Sequence, residues 1–187
     1  MGVIKALDGN AAIAHGVMRS KVQLVAAYPI TPQTPIVETI SSLIDKKEYD
    51  ATYITVESEH SALSAVIGAA STGVRTFTAS ASHGLALMHE VTGVASASRL
   101  PVVMAVVSRA IPGPMCLWCD HSDIMTQRDQ GWIQLFAESP QEGLDFTMIA
   151  YRTSEDERVL TPTMVDIDGF YCSHLTCLLY TSPSPRD

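Results

Sequence analysis

The sequence predicts an α/β fold in which a doubly wound parallel sheet carries helices on both faces. Short apolar runs alternate with amphipathic stretches along most of the 187 residues. Proline, glycine and small polar residues separate the two kinds of segment. Parallel strands need a crossover between them, usually a helix, so this alternation favours a parallel sheet. Its ligands should lie at the carboxyl ends of the strands.

The elements follow one another in a regular order. Strands are predicted over residues 23–27, 53–56, 74–79, 102–107, 132–137 and 164–167. Helices are predicted over residues 9–19, 60–71 and 84–98, and two more begin at Thr34-Pro35 and at Ser139-Pro140. In both of these pairs a hydroxyl residue precedes a proline, which suits the N-cap and the first helical position. Glu142 completes a capping box with Ser139.

Composition excludes several classes of function. A formal net charge of -8 argues against nucleic-acid binding, which requires clustered Lys and Arg. The longest aliphatic runs are far shorter than a membrane span, and the N-terminus has no leader pattern, so we expect a cytoplasmic protein. A core of this size needs no disulfide framework for its four cysteines. We interpret Cys116 and Cys119 as an ordinary loop pair and assign no metal ligands.

Three polar residues follow predicted strand ends. Thr31 lies in a proline-fixed turn, which by itself is only a turn. Glu59 opens a helix, where an acid also complements the helix dipole. Arg109 follows an apolar strand and could pair with a neighbouring acid or offer its planar fork to a substrate carboxylate. From the residues alone these alternatives stay open.

A fourth cluster, residues 118–123, places two carboxylates around an imidazole. Asp120, His121 and Asp123 would suit a metal ion or a general base. A hydrogen-bonded loop explains the same residues equally well.

These four clusters occur in one order and together resemble a known family. The sequence is similar to alpha subunits of the pyruvate:ferredoxin oxidoreductase family, within the 2-oxoacid:ferredoxin oxidoreductases. The similarity spans nearly all of residues 1–176. It rests on residues 27–32, 56–62, 72–79, 84–90, 108–111, 118–123, 128–134 and 168–170.

The resemblance implies the pyrimidine-type fold of thiamine-diphosphate-binding domains and a role for each candidate. Thr31 contacts the 2-oxoacid, and Arg109 binds its carboxylate. Glu59 is the catalytic and cofactor-binding acid: its carboxyl bonds to N1' of the aminopyrimidine and favours the tautomer that removes the thiazolium proton. The reaction implied is oxidative decarboxylation of pyruvate with coenzyme A to acetyl-CoA, with electrons passed to ferredoxin.

The resemblance also implies that the chain works in a hetero-oligomer and is inactive alone. It lacks the Gly-Asp-Gly signature for metal and diphosphate, and it lacks a cluster-binding cysteine pattern. Thiamine diphosphate should therefore be shared with a diphosphate-binding partner, which holds Mg²⁺, and the iron–sulfur clusters should lie on other subunits or domains.

Two alternatives to pyruvate oxidation stay open. The departure from the family pattern at residues 82–84 and 110–116 puts the substrate in question, so a branched-chain 2-oxoacid or 2-oxoglutarate is a rival. A catalytically silent binding module of the same fold is the other. The presence of Glu59 with Thr31 and Arg109 argues against a catalytically silent module.

The last segment differs in character from the rest. Residues 177–187 resemble a translated sequencing adapter. We therefore expect a pyrimidine-binding domain over residues 1–176, truncated from a longer subunit, and a non-native tail without function over residues 177–187.

Overall fold

A computed structural model describes residues 3–181, with side chains from residue 4 to residue 179. The strands are β1 (Val3–Leu7), β2 (Leu24–Ala26), β3 (Thr52–Ile54), β4 (Thr76–Ser80), β5 (Val103–Ser108), β6 (Ile133–Ala137), β7 (Thr163–Asp168) and β8 (Cys177–Thr181). The helices are α1 (Gly9–Arg19), α2 (Thr34–Asp45), α3 (Glu59–Ala70), α4 (Ser82–Ala97), α5 (Ser122–Met125), α6 (Pro140–Ser154) and α7 (Tyr171–His174).

Six strands form a parallel sheet in the order β3-β2-β4-β5-β7-β6. The chain steps outward from β2 to β3 and then returns to place β4 on the other side of β2. This reversal opens a crevice at the carboxyl ends of β2 and β4, where sheets of this kind bind ligands. The predicted doubly wound sheet is confirmed.

Two apolar layers hold the helices against the two faces of the sheet. One layer packs α1, α2 and α6 against the strands through residues that include Ile13, Ile40 and Ala150. The other packs α3, α4 and α5 through residues that include Leu63 and Leu85. Strand β5 is buried along its whole length, as expected of a central strand covered on both sides. None of the helices in the described part of the chain is long and apolar enough to cross a membrane.

The helix starts differ in detail from the sequence predictions. Ser139 caps α6 as predicted, accepting from the backbone N–H of Glu142. The Glu142 carboxylate bonds to the N–H of Glu138, one residue before the cap. At α2 the N-cap is Gln33 rather than Thr34, and its side chain makes no cap bond. Gln33 Oε1 instead accepts from the N–H of Ile30 and closes the preceding turn.

The sequence prediction did not include β1, α5, α7 or β8. Strands β1 and β8 form a separate antiparallel pair, in which Leu7 faces Cys177. Leu179 is fully buried in a small cluster with Ala12 and Leu144. Part of the segment that resembles an adapter therefore adopts a strand, while residues 182–187 lie outside the described residues. That residues 177–187 are non-native and dispensable stays a prediction.

Candidate functional site

The turn after β2 places Thr31 at the crevice. Its neighbours are fixed by hydrogen bonds: the N–H groups of Gln33 and Thr34 both bond to the carbonyl of Ile30. Asn10 Nδ2 donates to the carbonyl of Pro32 over 3.2 Å. Thr31 itself is exposed, whereas these hydrogen bonds fix the backbone around it. The turn therefore presents one polar side chain at the end of a buried strand.

Arg109 leaves the end of β5 and reaches this turn. Its Nη1 donates to the carbonyl oxygen of Thr31 over 2.6 Å. The residue is 4% exposed, and its Nε lies buried without a hydrogen-bond partner. Within residues 3–181 no acidic side chain pairs with Arg109, so the structure shows no structural ion pair. A buried guanidinium with an unused donor has the fork geometry that a carboxylate accepts.

Asp123 holds the backbone on which Arg109 stands. This carboxylate is fully buried in α5, and its Oδ2 accepts from the N–H of Arg109 over 3.0 Å and from that of Ser82 over 2.7 Å. Ser82 Oγ donates in turn to the carbonyl of Ala110. Ser82 has a φ of 46°, a left-handed conformation that costs a serine free energy and that these bonds maintain. One carboxylate thus ties the start of α4 to the end of β5.

Glu59 is the first residue of α3, which Ser58 caps through the N–H of Ser61. The residue is 8% exposed, whereas Glu57, two positions earlier, is exposed. The position suits the helix dipole, as the simpler interpretation expects. However, no hydrogen bond to the Glu59 carboxyl occurs among the described residues, and buried carboxyls normally have partners. This acid is therefore available to a ligand.

Gly84 in α4 makes room for that carboxyl. A Cβ atom at this position would lie 2.6 Å from Glu59 Oε1 and 2.7 Å from Ser80 Oγ. Any side chain at residue 84 would therefore displace the acid. Ser80 Oγ is buried at the end of β4 and has no hydrogen-bond partner. Two unsatisfied polar groups thus converge where β4 meets α3 and α4.

The loop at residues 118–123 is a hydrogen-bonded structure. Asp120 Oδ1 accepts from the N–H and the hydroxyl of Ser122, Asp123 anchors Arg109, and His121 pairs with Asp166. The three side chains point to different partners. The described residues contain no group of three or more His, Cys, Asp and Glu side chains that could hold a metal ion.

The environment of Cys119 keeps its thiol protonated. All four cysteines of the chain are free. Burial, followed by a hydrogen bond with Asp168, raises the pKa of Cys119 to about 12, so this thiol stays protonated at neutral pH. The interpretation of Cys116 and Cys119 as a loop pair agrees with this environment.

The structure places Thr31, Arg109 and Glu59 at one edge of the sheet. Two sets of contacts connect them. Thr31 and Arg109 touch directly. Glu59 is connected through Gly84 to the start of α4, which Asp123 joins to Arg109. Sequence reasoning noticed Asp123 but gave it no role, because only the tertiary fold shows which backbone N–H groups it accepts. It did not single out Ser80 at all, since a serine at a strand end carries no distinctive pattern.

Comparison with known proteins shows which family the chain belongs to. Residues 15–183 match the family model described as pyruvate flavodoxin/ferredoxin oxidoreductase, thiamine diphosphate-binding. The chain belongs to this family. The resemblance found in the sequence is thereby confirmed, and so is the fold type that it implied.

Several curated members of the family are similar over most of the chain. Pyruvate synthase subunit PorA of Methanocaldococcus jannaschii is 52% identical over 171 residues, which are 91% of this chain and 44% of that protein. PorA of Thermotoga maritima is 53% identical over 169 residues, or 90% of this chain and 43% of that protein. Ketoisovalerate oxidoreductase subunit VorA of Pyrococcus horikoshii is 49% identical over 170 residues, or 91% and 43%.

A solved member of the family has the same fold. It is the 2-oxoglutarate:ferredoxin oxidoreductase from Magnetococcus marinus with 2-oxoglutarate, coenzyme A and succinyl-CoA bound. The superposition has a TM-score of 0.82 at 25% identity and covers 98% of this chain and 32% of that chain. The chain spans less than half the length of the curated relatives that it matches.

The residues present fit the pyrimidine half of thiamine diphosphate. A protein acid that bonds to the N1' atom of the ring must be buried and free of protein partners. Glu59 meets both conditions.

Proposed function

We propose that this chain supplies the aminopyrimidine and substrate side of a thiamine-diphosphate-dependent 2-oxoacid oxidoreductase that acts on pyruvate. The observation that carries the proposal is Glu59, an 8% exposed residue whose carboxyl has no hydrogen bond among the described residues, at the same sheet edge as the Thr31–Arg109 contact. A fold does not by itself define a function, but this arrangement of an acid and a carboxylate-binding fork suits that chemistry.

Glu59 is the proposed acid. Bound thiamine diphosphate supplies the carbanion chemistry that cleaves the bond between the carboxylate and the carbonyl carbon of a 2-oxoacid. The Glu59 carboxyl holds a proton at N1' of the aminopyrimidine and so controls which tautomer of the ring is present.

Arg109 and Thr31 are the proposed substrate residues. The free Nε of Arg109 can join Nη2 in a two-pronged contact with the carboxylate of pyruvate, while Nη1 stays on the Thr31 carbonyl. The exposed hydroxyl of Thr31 lies next to that contact and can donate to the substrate's carbonyl oxygen. The substrate is thus oriented by groups from two different strand ends.

The remaining components are proposed to lie on partners. Mg²⁺, the cofactor diphosphate and the iron–sulfur clusters would be held by other subunits or domains, with coenzyme A and ferredoxin as further reactants. A hetero-oligomer follows from this division, because each side holds part of one active site. The PorA relatives, which are named as subunits, support this arrangement.

Another 2-oxoacid is the second candidate substrate. A VorA relative is 49% identical, close to the 52% of a PorA relative, and the solved neighbour carries 2-oxoglutarate. The carboxylate fork of Arg109 serves all of these substrates equally. Comparison of kcat/KM for pyruvate, ketoisovalerate and 2-oxoglutarate decides between them, and pyruvate should have the highest value.

The decisive experiment replaces Glu59 with Gln in the full-length subunit assembled with its partners. We expect exchange of the thiazolium C2 proton to slow by roughly 10²- to 10⁴-fold, since an amide cannot hold and release the N1' proton. Glu57→Gln is the matched control, because Glu57 is exposed and should leave the rate unchanged. Equal exchange rates for Glu59→Gln and the parent enzyme would refute the assignment.

A further inference from the structure

Ser108, Asp166 and His121 form a hydrogen-bonded network beside Arg109 that has no part in the proposed chemistry. His121 Nδ1 lies 2.8 Å from Asp166 Oδ2, and Ser108 Oγ donates to Asp166 Oδ1. The side chain of Asp166 is 1% exposed, while that of His121 is 48% exposed. The edge of the His121 ring also meets Phe136 in β6. This network therefore connects solvent with the buried end of β5.

One covalent connection and one hydrogen-bonded connection join these three residues to the backbone of Arg109. Ser108 immediately precedes Arg109 at the end of β5. His121 lies two residues before Asp123, whose carboxylate accepts from the N–H of Arg109. The carbonyl of His121 also accepts from Met125 and so begins α5. Asp166 thus contacts one residue on each connection, Ser108 on the first and His121 on the second.

The carboxyl of Asp166 changes charge near neutral pH. Burial is the largest cause that raises the pKa of Asp166 to about 7; the Asp123 carboxylate also raises it, while Ser108 and His121 lower it. The ionisable groups that face the pair of Asp166 and His121 are Asp123 from α5, Asp168 from β7, Cys119 from the preceding loop and Cys172 from α7.

We infer that the Asp166–His121 pair is a positioning group for Arg109 and makes binding of the 2-oxoacid carboxylate depend on pH. This inference rests on the proposed function, in which Arg109 binds that carboxylate. When Asp166 is ionised, its buried carboxylate faces the Asp123 carboxylate. The repulsion weakens the Asp123 clamp on the Arg109 N–H. The same Asp123 oxygen accepts from the N–H of Ser82 at the start of α4, so the tests below report on Arg109 and on carboxylate binding directly.

The first test uses the chain alone and follows resonances by NMR. The buried Nε–H of Arg109 is the reporter, assigned with Arg109→Lys, and the side-chain carboxyl carbon of Asp166 is followed in the same samples. We expect the Arg109 resonance to shift in step with that of Asp166, whose pKa is about 7. In Asp166→Asn that shift should vanish. An Arg109 resonance that stays fixed while Asp166 changes charge would overturn the inference, whatever the activity of the complex.

The second test uses the assembled enzyme and separates KM from kcat. For the parent we expect the KM for pyruvate to rise by roughly three- to tenfold between about pH 6 and about pH 8. Asp166→Asn should make KM independent of pH. His121→Gln repeats the test at a half-exposed position if Asp166→Asn does not fold. His89→Gln, a histidine of α4, is the control and should keep the parent profile.

The outcomes separate this inference from the proposed function. KM profiles that are the same in the parent, Asp166→Asn and His121→Gln overturn the inference while the function stands. Absence of any 2-oxoacid turnover by the parent complex overturns the function, and the NMR titration still decides whether the pair controls Arg109.

Discussion

Arg75 at the amino ends of the six-stranded sheet differs from Glu59 and Arg109 at the carboxyl ends in how its charge is partnered. Arg75 Nη2 lies 2.6 Å from Glu155 Oε2, and its guanidinium lies 5.4 Å from the centre of the Tyr151 ring. At the carboxyl ends, Arg109 Nε is buried without a partner, and no hydrogen bond to the Glu59 carboxyl occurs among the described residues. Asp123 and Asp166, also at the carboxyl ends, are hydrogen-bonded inside the protein.

Phenol groups at the amino ends follow the same rule as Arg75. Tyr49 donates to the carbonyl of Val22 over 2.6 Å, and Tyr151 donates to that of Thr76 over 2.8 Å. Burial raises the pKa of both hydroxyls well above the ordinary value, so they stay protonated donors. The comparison teaches that Arg75 has its partners inside the protein, whereas Glu59 and Arg109 retain groups without protein partners, which we propose bind ligands.

The largest effect on stability should come from the amino end. Arg75→Met leaves Glu155 partly buried without its guanidinium, so we expect the free energy of unfolding to fall by about 3 kcal/mol. Chemical denaturation of the chain measures it. Arg158→Met is the control, because Arg158 pairs with Asp156 in an exposed ion pair and its loss should have no measurable effect. Equal stabilities of Arg75→Met and the parent would show that the Arg75–Glu155 pair does not stabilise the protein.

Arg109→Lys tests the proposed role of Arg109 at the carboxyl ends of the strands. The ammonium keeps the charge but cannot contact Thr31 and a carboxylate together, so kcat/KM for pyruvate should fall by roughly 10- to 100-fold. Steady-state kinetics of the assembled enzyme check this, with thermal unfolding to show that the fold is kept. If kcat/KM stays at the parent value, Arg109 has only a structural role.

Gly84→Ala tests the space around Glu59. The added methyl group would lie 2.6 Å from Glu59 Oε1, so the carboxyl must move, and C2 proton exchange should slow by about tenfold. Gly68→Ala is the matched control, since nothing lies within 4 Å of that position and alanine favours the helix. A Gly84→Ala variant that exchanges as fast as the parent would show that Glu59 is not confined by α4.

The sequence predicted the sheet well because each element carries its own local signal. Apolar runs and caps such as Ser139 identify strands and helix starts without reference to the rest of the chain. It did not predict β1, α5, α7 or β8: α5 and α7 have only four residues each, and β1 and β8 pair with each other outside the main sheet. The pair of β1 and β8 joins residues far apart in sequence, and no local rule connects them.

The site was predicted only where a motif carried it. The resemblance assigned roles to Thr31, Glu59 and Arg109, and the structure places all three at one sheet edge. Those roles stay predictions. The clamp by Asp123 and the pair of Asp166 with His121 depend on contacts across the fold. Such contacts leave no trace in residue spacing, so the sequence alone could not supply them.

The central claim is that Glu59 is kept for a ligand at no gain in stability. The most direct measurement is the free energy of unfolding of Glu59→Gln in the chain without cofactor, beside the parent and Arg75→Met. Removing an unpartnered buried charge should leave that free energy within about 1 kcal/mol of the parent, or raise it. A loss as large as that of Arg75→Met would mean that the protein itself satisfies Glu59, and would contradict the account.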